Sequence, residues 1–201
     1  MLGKTLQFVR RERKSPRDVG GAWTLLVSDE GLMVNFQRGA RDALEELFAR
    51  YREPLYGFFR RRLANSQGAE DLTQETFVAV IRASARYEPR ARVKTYLYGI
   101  ALNLLATERR RQAKQCMVEM PGEPSVTMSS DSEIWVRDAL QKLGATEREI
   151  LMLREYEQLS YGEIAEILRV PVNTVRSRLF RARMALKEYL EPAAQMDTAE
   201  R

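Results

Sequence analysis

The sequence predicts an all-α chain of two small helical domains joined by a linker, and three observations predict it. Apolar residues recur at helical spacing on both sides of a central gap: Leu44, Leu47, Phe48 and Tyr51 stand at i, i+3, i+4 and i+7, and Val175, Leu179, Ala182 and Leu186 make a similar stripe. In the gap, from Gln115 to Val136, there is no Lys or Arg, while Pro121, Gly122, Pro124 and a run of Ser and Thr abolish any period. Finally, Ser130 with Glu133, Thr146 with Glu149 and Ser160 with Glu163 have the spacing of capping boxes, in which a hydroxyl and a carboxylate three residues apart each satisfy an orphan amide at a helix start.

Composition narrows the function before any motif is read. With 201 residues, 44% of them hydrophobic, the chain can bury one or two compact cores. A net charge of +5 favours a polyanionic partner. There is no histidine and a single cysteine, Cys116, which excludes an internal disulfide, the usual zinc sets and the Ser–His and Cys–His nucleophile arrangements. No Gly-rich phosphate loop is present, so no catalytic residue, metal or cofactor is expected. No run approaches the roughly 18 apolar residues that span a bilayer, and the basic start (Arg10, Arg11, Arg13, Lys14) is not followed by a signal-peptide core. The expectation is a cytoplasmic protein without direct membrane insertion.

Residues 1–27 read as a flexible basic extension. Ser28 can cap a helix to about Arg38 that buries Leu32, Met33 and Phe36 and ends at Gly39. The Leu44–Tyr51 stripe continues through Leu55, Phe58, Phe59 and Leu63, with Pro54 expected to kink or restart the helix and Asn65–Gly68 to form the turn after it. Arg60, Arg61 and Arg62 are read as a solvated face.

Residues 69–82 form a helix whose inward stripe is Leu72, Phe77, Val80 and Ile81. Its outward face holds Asp71, Gln74, Glu75 and Val78, carboxylates around an aliphatic residue that the helical period does not bury. A metal or acid pair would need further ligands; a docking face for a basic partner and an ordinary acidic surface both fit. After a loop at 86–92, a helix from about Val93 to Arg111 turns Val93, Leu97, Ile100, Ala101 and Leu104 inward. One flank lines up Tyr96, Gly99, Asn103 and Arg110: an aromatic surface, a gap, an amide and a cation. Those are the parts that hold an unstacked base, although tyrosines at 96 and 98 also fit packing between helices.

Beyond the linker, Val136, Leu140 and Leu143, closed by Gly144, make one helix, and Ile150 and Leu153 belong to the next. Residues 159–186, LSYGEIAEILRVPVNTVRSRLFRARMAL, then read as a helix-turn-helix. Ser160 and Glu163 cap the first helix, Ile164 and Leu168 face inward, Arg169–Pro171 make the turn, and Pro171 suits a helix start because its missing N–H costs nothing there. The second helix presents Asn173, Arg176, Ser177, Phe180 and Arg181 opposite its apolar stripe. From Leu168 through Lys187 there are six Lys or Arg and no acid, where a solvated helix normally mixes signs. Arginine forks suit both guanine edges and phosphates, so this face is read as a major-groove surface. The module ends near Leu190.

With both modules read, the chain resembles the bacterial RNA polymerase sigma factors of the sigma-70 family, extracytoplasmic-function (ECF) group. AEDLTQETF (69–77) is similar to the family's segment that docks on polymerase, TYLYGIALN (95–103) to its promoter-melting segment, and LSYGEIAEILRVPVNTVRSRLFRAR (159–183) to its helix-turn-helix for the upstream promoter element. The resemblance implies an extension at 1–27, region 2 at 28–113, a linker at 114–130, region 4 at 131–190 and a tail at 191–201. It assigns Asp71, Gln74, Glu75 and Val78 to core polymerase. It assigns Lys94, Tyr96, Asn103 and Arg110, with Asn173, Thr174, Arg176, Ser177, Phe180 and Arg181, to DNA, Asn103 capturing a flipped base of the minus-ten element and residues 176–181 reading the minus-thirty-five element. Tyr96 stands where the family usually has tryptophan, Gly99 and Leu102 where it often has arginines, and Asn173 where glycine is frequent. The implied partners are RNA polymerase core, through the clamp helices of its largest subunit and the flap of its second subunit, promoter DNA, and commonly an anti-sigma protein. The implied function is to direct core polymerase to promoters and to promote DNA melting. The alternative is a stand-alone helix-turn-helix regulator that binds duplex DNA by itself.

Overall fold

The computed structural model describes residues 27–63, 65–89, 92–116 and 131–196. The extension before residue 27, the Ser130 cap and most of the expected linker lie outside the described residues. Among these residues there are eight α-helices, one 3-10 turn and no strand: α1 (Asp29–Gln37), α2 (Arg41–Arg60), α3 (Ser66–Ala83), the turn at Ser84–Arg86, α4 (Val93–Cys116), α5 (Asp131–Lys142), α6 (Ala145–Glu155), α7 (Tyr161–Leu168) and α8 (Val172–Met196). Helices α1–α4 form one unit and α5–α8 another, and the two meet where α7 and the end of α6 lie against α2 and α4, their buried residues joining in one continuous cluster.

Local chemistry sets the helix ends. The Ser28 hydroxyl accepts from the Gly31 amide at the start of α1, and Gly39 takes φ 97° just beyond its end, a left-handed conformation that glycine adopts without a Cβ clash. Asn65 belongs to a helix start: its side chain accepts from the Gly68 amide, so α3 begins at Ser66, within the stretch read as a turn. The kink expected at Pro54 does not interrupt α2, which is one helix through that residue. Pro54 is exposed, so water can satisfy the carbonyl one turn earlier that its ring leaves without a donor. The Thr146–Glu149 capping box is not formed. Helix α6 starts at Ala145, the Gly144 carbonyl accepting from the Arg148 amide at 2.9 Å, and Glu149 is engaged elsewhere.

Burial follows the expected stripes with instructive exceptions. Leu47, Tyr51, Leu55, Phe58, Phe59, Leu72, Phe77, Val80, Val93, Leu97, Ala101, Val175, Leu179 and Ala182 are all buried. Ile81, expected inside, is 45% exposed, and the hydroxyls of Thr73 and Thr76 are buried in its place, each donating to the carbonyl four residues back at 2.7 Å. Toward the second half of α4 Leu105 is buried rather than Leu104; in α5 Ala139 turns inward while Val136 stays exposed. Helix α4 continues past Arg111 to Cys116, its exposed end braced by Arg111 and Gln112 donating to Glu108.

The largest departure concerns the arginine run. Only Arg60 is free of the seam between the units; the Arg62 side chain is 1% exposed and Arg61 is about one-third exposed. Their partners are Glu149 and Glu157, whose distance in sequence made the contact invisible to local patterning.

Candidate docking and nucleic-acid interfaces

On α3, Asp71, Gln74, Glu75 and Val78 come together on one exposed face, as helical spacing requires. Ile81 joins them: at i+3 from Val78 it extends the aliphatic centre to two exposed side chains, 41% and 45% accessible, beside the carboxylates. The helical period assigns Ile81 to the inward stripe, and the structure turns it outward. Asp71 accepts from Gln67 at 2.9 Å, an exposed contact that a partner's cation can displace. An apolar centre with acidic flanks suits a basic helical surface on a protein partner.

On α4, Tyr96, Gly99, Asn103 and Arg110 share one flank. Asn103 and Arg110 are exposed, and a Cβ added at Gly99 would meet nothing within 4 Å, so a shallow open gap lies between the tyrosine and the amide. Tyr96 is half-buried, its ring 5.3 Å from that of Tyr87 at an interplanar angle of 57°. Burial, with Glu30 and Asp29 nearby, pushes the Tyr87 hydroxyl up to about 12, and burial raises that of Tyr96, so both stay neutral rings at physiological pH. Arg110 donates to the Ala106 carbonyl and the Thr107 hydroxyl, both at 3.2 Å. Lys94 is separated from this group: on the helical wheel it lies opposite Asn103, and it lines a cleft at the seam between the units with Arg61, Tyr98 and Glu157. Tyr98 is a core residue, 2% exposed, meeting Phe58 edge-on.

The helix-turn-helix is built by its capping box. The Ser160 amide donates to Glu163 Oε2 at 2.7 Å, and the Glu163 amide donates to the Ser160 hydroxyl at 3.2 Å. Burial acts to raise the Glu163 pKa, but the bonds from Ser160 and the cations Arg92 and Lys94 outweigh it, and the net shift is downward. Arg169 ends α7 at φ 54°, and α8 begins after Pro171. Ile164, Ala165, Val175, Leu179 and Ala182 lock the two helices together. The opposite face of α8 leaves Asn173, Arg176, Ser177, Phe180 and Arg181 exposed and Thr174 half-buried. Phe180 is 66% exposed, so this ring is not part of the core. The Ser177 hydroxyl donates to the Thr174 carbonyl at 3.0 Å, which leaves its oxygen as an acceptor, and Arg181 has only a loose, exposed ion pair with Glu147 at 3.8 Å. Among the described residues there is no group of acids, cysteines or histidines able to hold a metal, and no helix long and apolar enough to cross a membrane.

These modules coincide with two family models, sigma-70 region 2 over residues 47–115 and sigma-70 region 4 over residues 133–186. The chain is 31% identical over 182 residues to the RNA polymerase sigma-H factor of Pseudomonas aeruginosa, covering 82% of this chain and 94% of that protein. It is 36% identical over 165 residues to the RNA polymerase sigma factor CarQ of Myxococcus xanthus, covering 79% and 95%. With the ECF RNA polymerase sigma-E factor of Haemophilus influenzae it shares 30% identity over 184 residues, 83% of this chain and 97% of the relative. Among solved structures, CnrH in complex with the cytosolic domain of CnrY superposes with a TM-score of 0.65 at 25% identity, over 82% of this chain and 97% of that one. Both modules, in this order and with relatives matched over nearly their full length, place the chain in the sigma-70 family of RNA polymerase sigma factors, ECF group.

Proposed function

We propose that the chain directs core RNA polymerase to promoters by a division of labour between three faces. The α3 face of Asp71, Gln74, Glu75, Val78 and Ile81 docks on the clamp helices of the polymerase largest subunit. The α4 flank of Tyr96, Gly99, Asn103 and Arg110 holds a base of the minus-ten element once the strands part. The outward face of α8 reads the minus-thirty-five element through Arg176, Ser177, Phe180 and Arg181, with Asn173 and Thr174 at its leading end, and the second unit rests on the flap of the second subunit. The protein acts by binding and has no catalytic step of its own. The resemblance to CnrH, solved in complex with the cytosolic domain of CnrY, supports a protein partner met in the cytoplasm, which we read as an anti-sigma protein.

The observation that carries this reading is the exposed cationic face of α8, with Phe180 held in solvent among arginines while Val175, Leu179 and Ala182 behind it are buried. A large exposed aromatic ring among arginines matches a surface that meets thymine methyls and phosphates. The deciding experiment is multi-round transcription with purified core polymerase on genomic DNA, with and without the protein. Discrete new transcript starts that require the protein are expected. Tight sequence-specific duplex binding by the free protein, with no polymerase-dependent transcripts, would instead identify a stand-alone regulator.

A further inference from the structure

We infer that helix α1 is a splint for the base-holding flank of α4, with Gln37 and Glu30 as its positioning residues. This rests on the reading of the Tyr96 and Asn103 flank as the surface that holds an unstacked base.

Two side chains of α1 reach across to the segment that joins α3 to α4. Gln37 Nε2 donates to the Ser84 carbonyl at 2.7 Å and to the Tyr87 carbonyl at 2.9 Å. A primary amide has two N–H groups, and both bind this segment. The Ser84 carbonyl also accepts from the Tyr87 amide at 2.9 Å, so Gln37 closes over a turn already bonded to itself. At the far end of the segment, Glu30 Oε1 accepts from the Val93 amide at 3.2 Å. Val93 is the first residue of α4 and is buried. An amide in the first turn has no partner within its own helix, so Glu30 caps α4 from outside it. Glu30 and Gln37 stand two turns apart on one face of α1, about 10 Å along its axis. Between them Leu32 and Met33 are buried and seat the helix in the core.

The aromatic pair lies between these two ties. Tyr87 carries a carbonyl that Gln37 holds, and its ring meets that of Tyr96. Tyr96 stands one turn after Val93, whose amide Glu30 holds. Movement at either tie shifts the ring pair relative to Asn103, which sits two turns farther along α4. Capture of an unstacked base asks for an aromatic face and an edge partner at a set separation, and a small misplacement forfeits binding that forms only once the strands part. Neither Gln37 nor Glu30 belongs to the faces assigned to polymerase or DNA, so both act through Tyr96. Gln37 is exposed, and its bonds exchange with bonds to water, so removing them alters placement more than stability.

The test uses the full chain assembled with core polymerase. Gln37→Met keeps the side-chain length and removes both donors without adding charge. Its rate of open-complex formation on a duplex promoter should fall roughly 5-fold, the lower end of what one base–aromatic stack contributes. Affinity for core polymerase, closed-complex affinity and the unfolding midpoint should stay at wild-type values, and a pre-melted bubble should restore the rate. If Gln37→Met does not fold, Gln37→Glu, which also lacks donors, takes its place. Glu30→Ala should show the same defect confined to duplex templates, and Glu30→Gln, which keeps an oxygen for the Val93 amide, should recover it. A wild-type opening rate in the folded Gln37 variant, an equal loss on duplex and bubble templates, or no recovery in Glu30→Gln overturns the splint. Tyr96→Ala is run in parallel: a wild-type opening rate there defeats the reading of the α4 flank itself, whereas slow opening in Tyr96→Ala beside normal opening in the Gln37 variant defeats only this inference.

Discussion

The rings of Tyr87 and Tyr96 are in contact, with centroids 5.3 Å apart. Tyr87 is 5% exposed and anchored in the core, so it buttresses the half-buried ring of Tyr96. Tyr96→Ala removes the stacking surface and should reduce open-complex formation on duplex promoters roughly 5- to 150-fold, the equivalent of about 1 to 3 kcal/mol. A template with a pre-melted bubble restores most of that loss. Tyr87→Ala should act differently, costing on the order of 3 kcal/mol of stability in chemical denaturation.

Charge reversal on α3 separates docking from folding. Asp71→Lys with Glu75→Lys should weaken binding to core polymerase several-fold or more, while the unfolding free energy changes by no more than about 0.5 kcal/mol per substitution because both side chains are exposed. Ile81→Ser should weaken core binding in the same assay. Retained affinity in the charge-reversed variant assigns the α3 face to ordinary surface.

On α8, Arg176 and Arg181 can be told apart by salt and by sequence. An arginine that pairs with guanine should cost roughly 1 to 3 kcal/mol on replacement by alanine and relax preference at one base pair. One that meets phosphate weakens every sequence alike and lowers the salt slope by about one. Transcription by the holoenzyme on a randomised upstream element reads both. Arg181 must also release Glu147, but that exposed pair at 3.8 Å opposes DNA binding little.

The Glu163 carboxylate links local capping to pH. Its folded pKa is depressed, so its contribution to stability is present above the ordinary glutamate value of about 4.5 and disappears as pH falls through the lower folded value. Glu163→Ala should destabilise the second unit by about 1 kcal/mol at pH 7. Denaturation curves of wild type and variant should converge in acid.

The parts of the molecule legible in its sequence are those decided within a few residues. Ser160 and Glu163 bond to each other's amides three positions apart, and the Arg169–Pro171 turn follows from where the flanking periods stop. The α3 and α4 faces were readable for the same reason, since spacing along one helix fixes which side chains are neighbours. Arg62 was not: the run of three arginines has the pattern of a wet surface, and only the approach of Glu157 from the loop after α6 makes burial tolerable. Glu149 misled for a related reason, since its capping spacing was real but the tertiary contact with Arg62 claimed the carboxylate. Ile81 shows the limit of periodicity, because Thr76 and Thr73 could be buried by bonding back to their own helix and so released an aliphatic residue to the surface.

Gly99 sits about two turns into α4, a helix of 24 residues, half-buried but with no neighbour that would forbid a methyl group. Glycine there weakens the helix by about 1 kcal/mol relative to alanine, and the weakening is local. The amides from Thr95 to Asn103 should therefore exchange with deuterium faster than their burial alone would give, and Gly99→Ala should slow them while raising the unfolding midpoint. The surface that carries Tyr96 and Asn103 thus lies on a stretch of α4 that its glycine loosens, and a base arriving there meets a helix able to adjust to it.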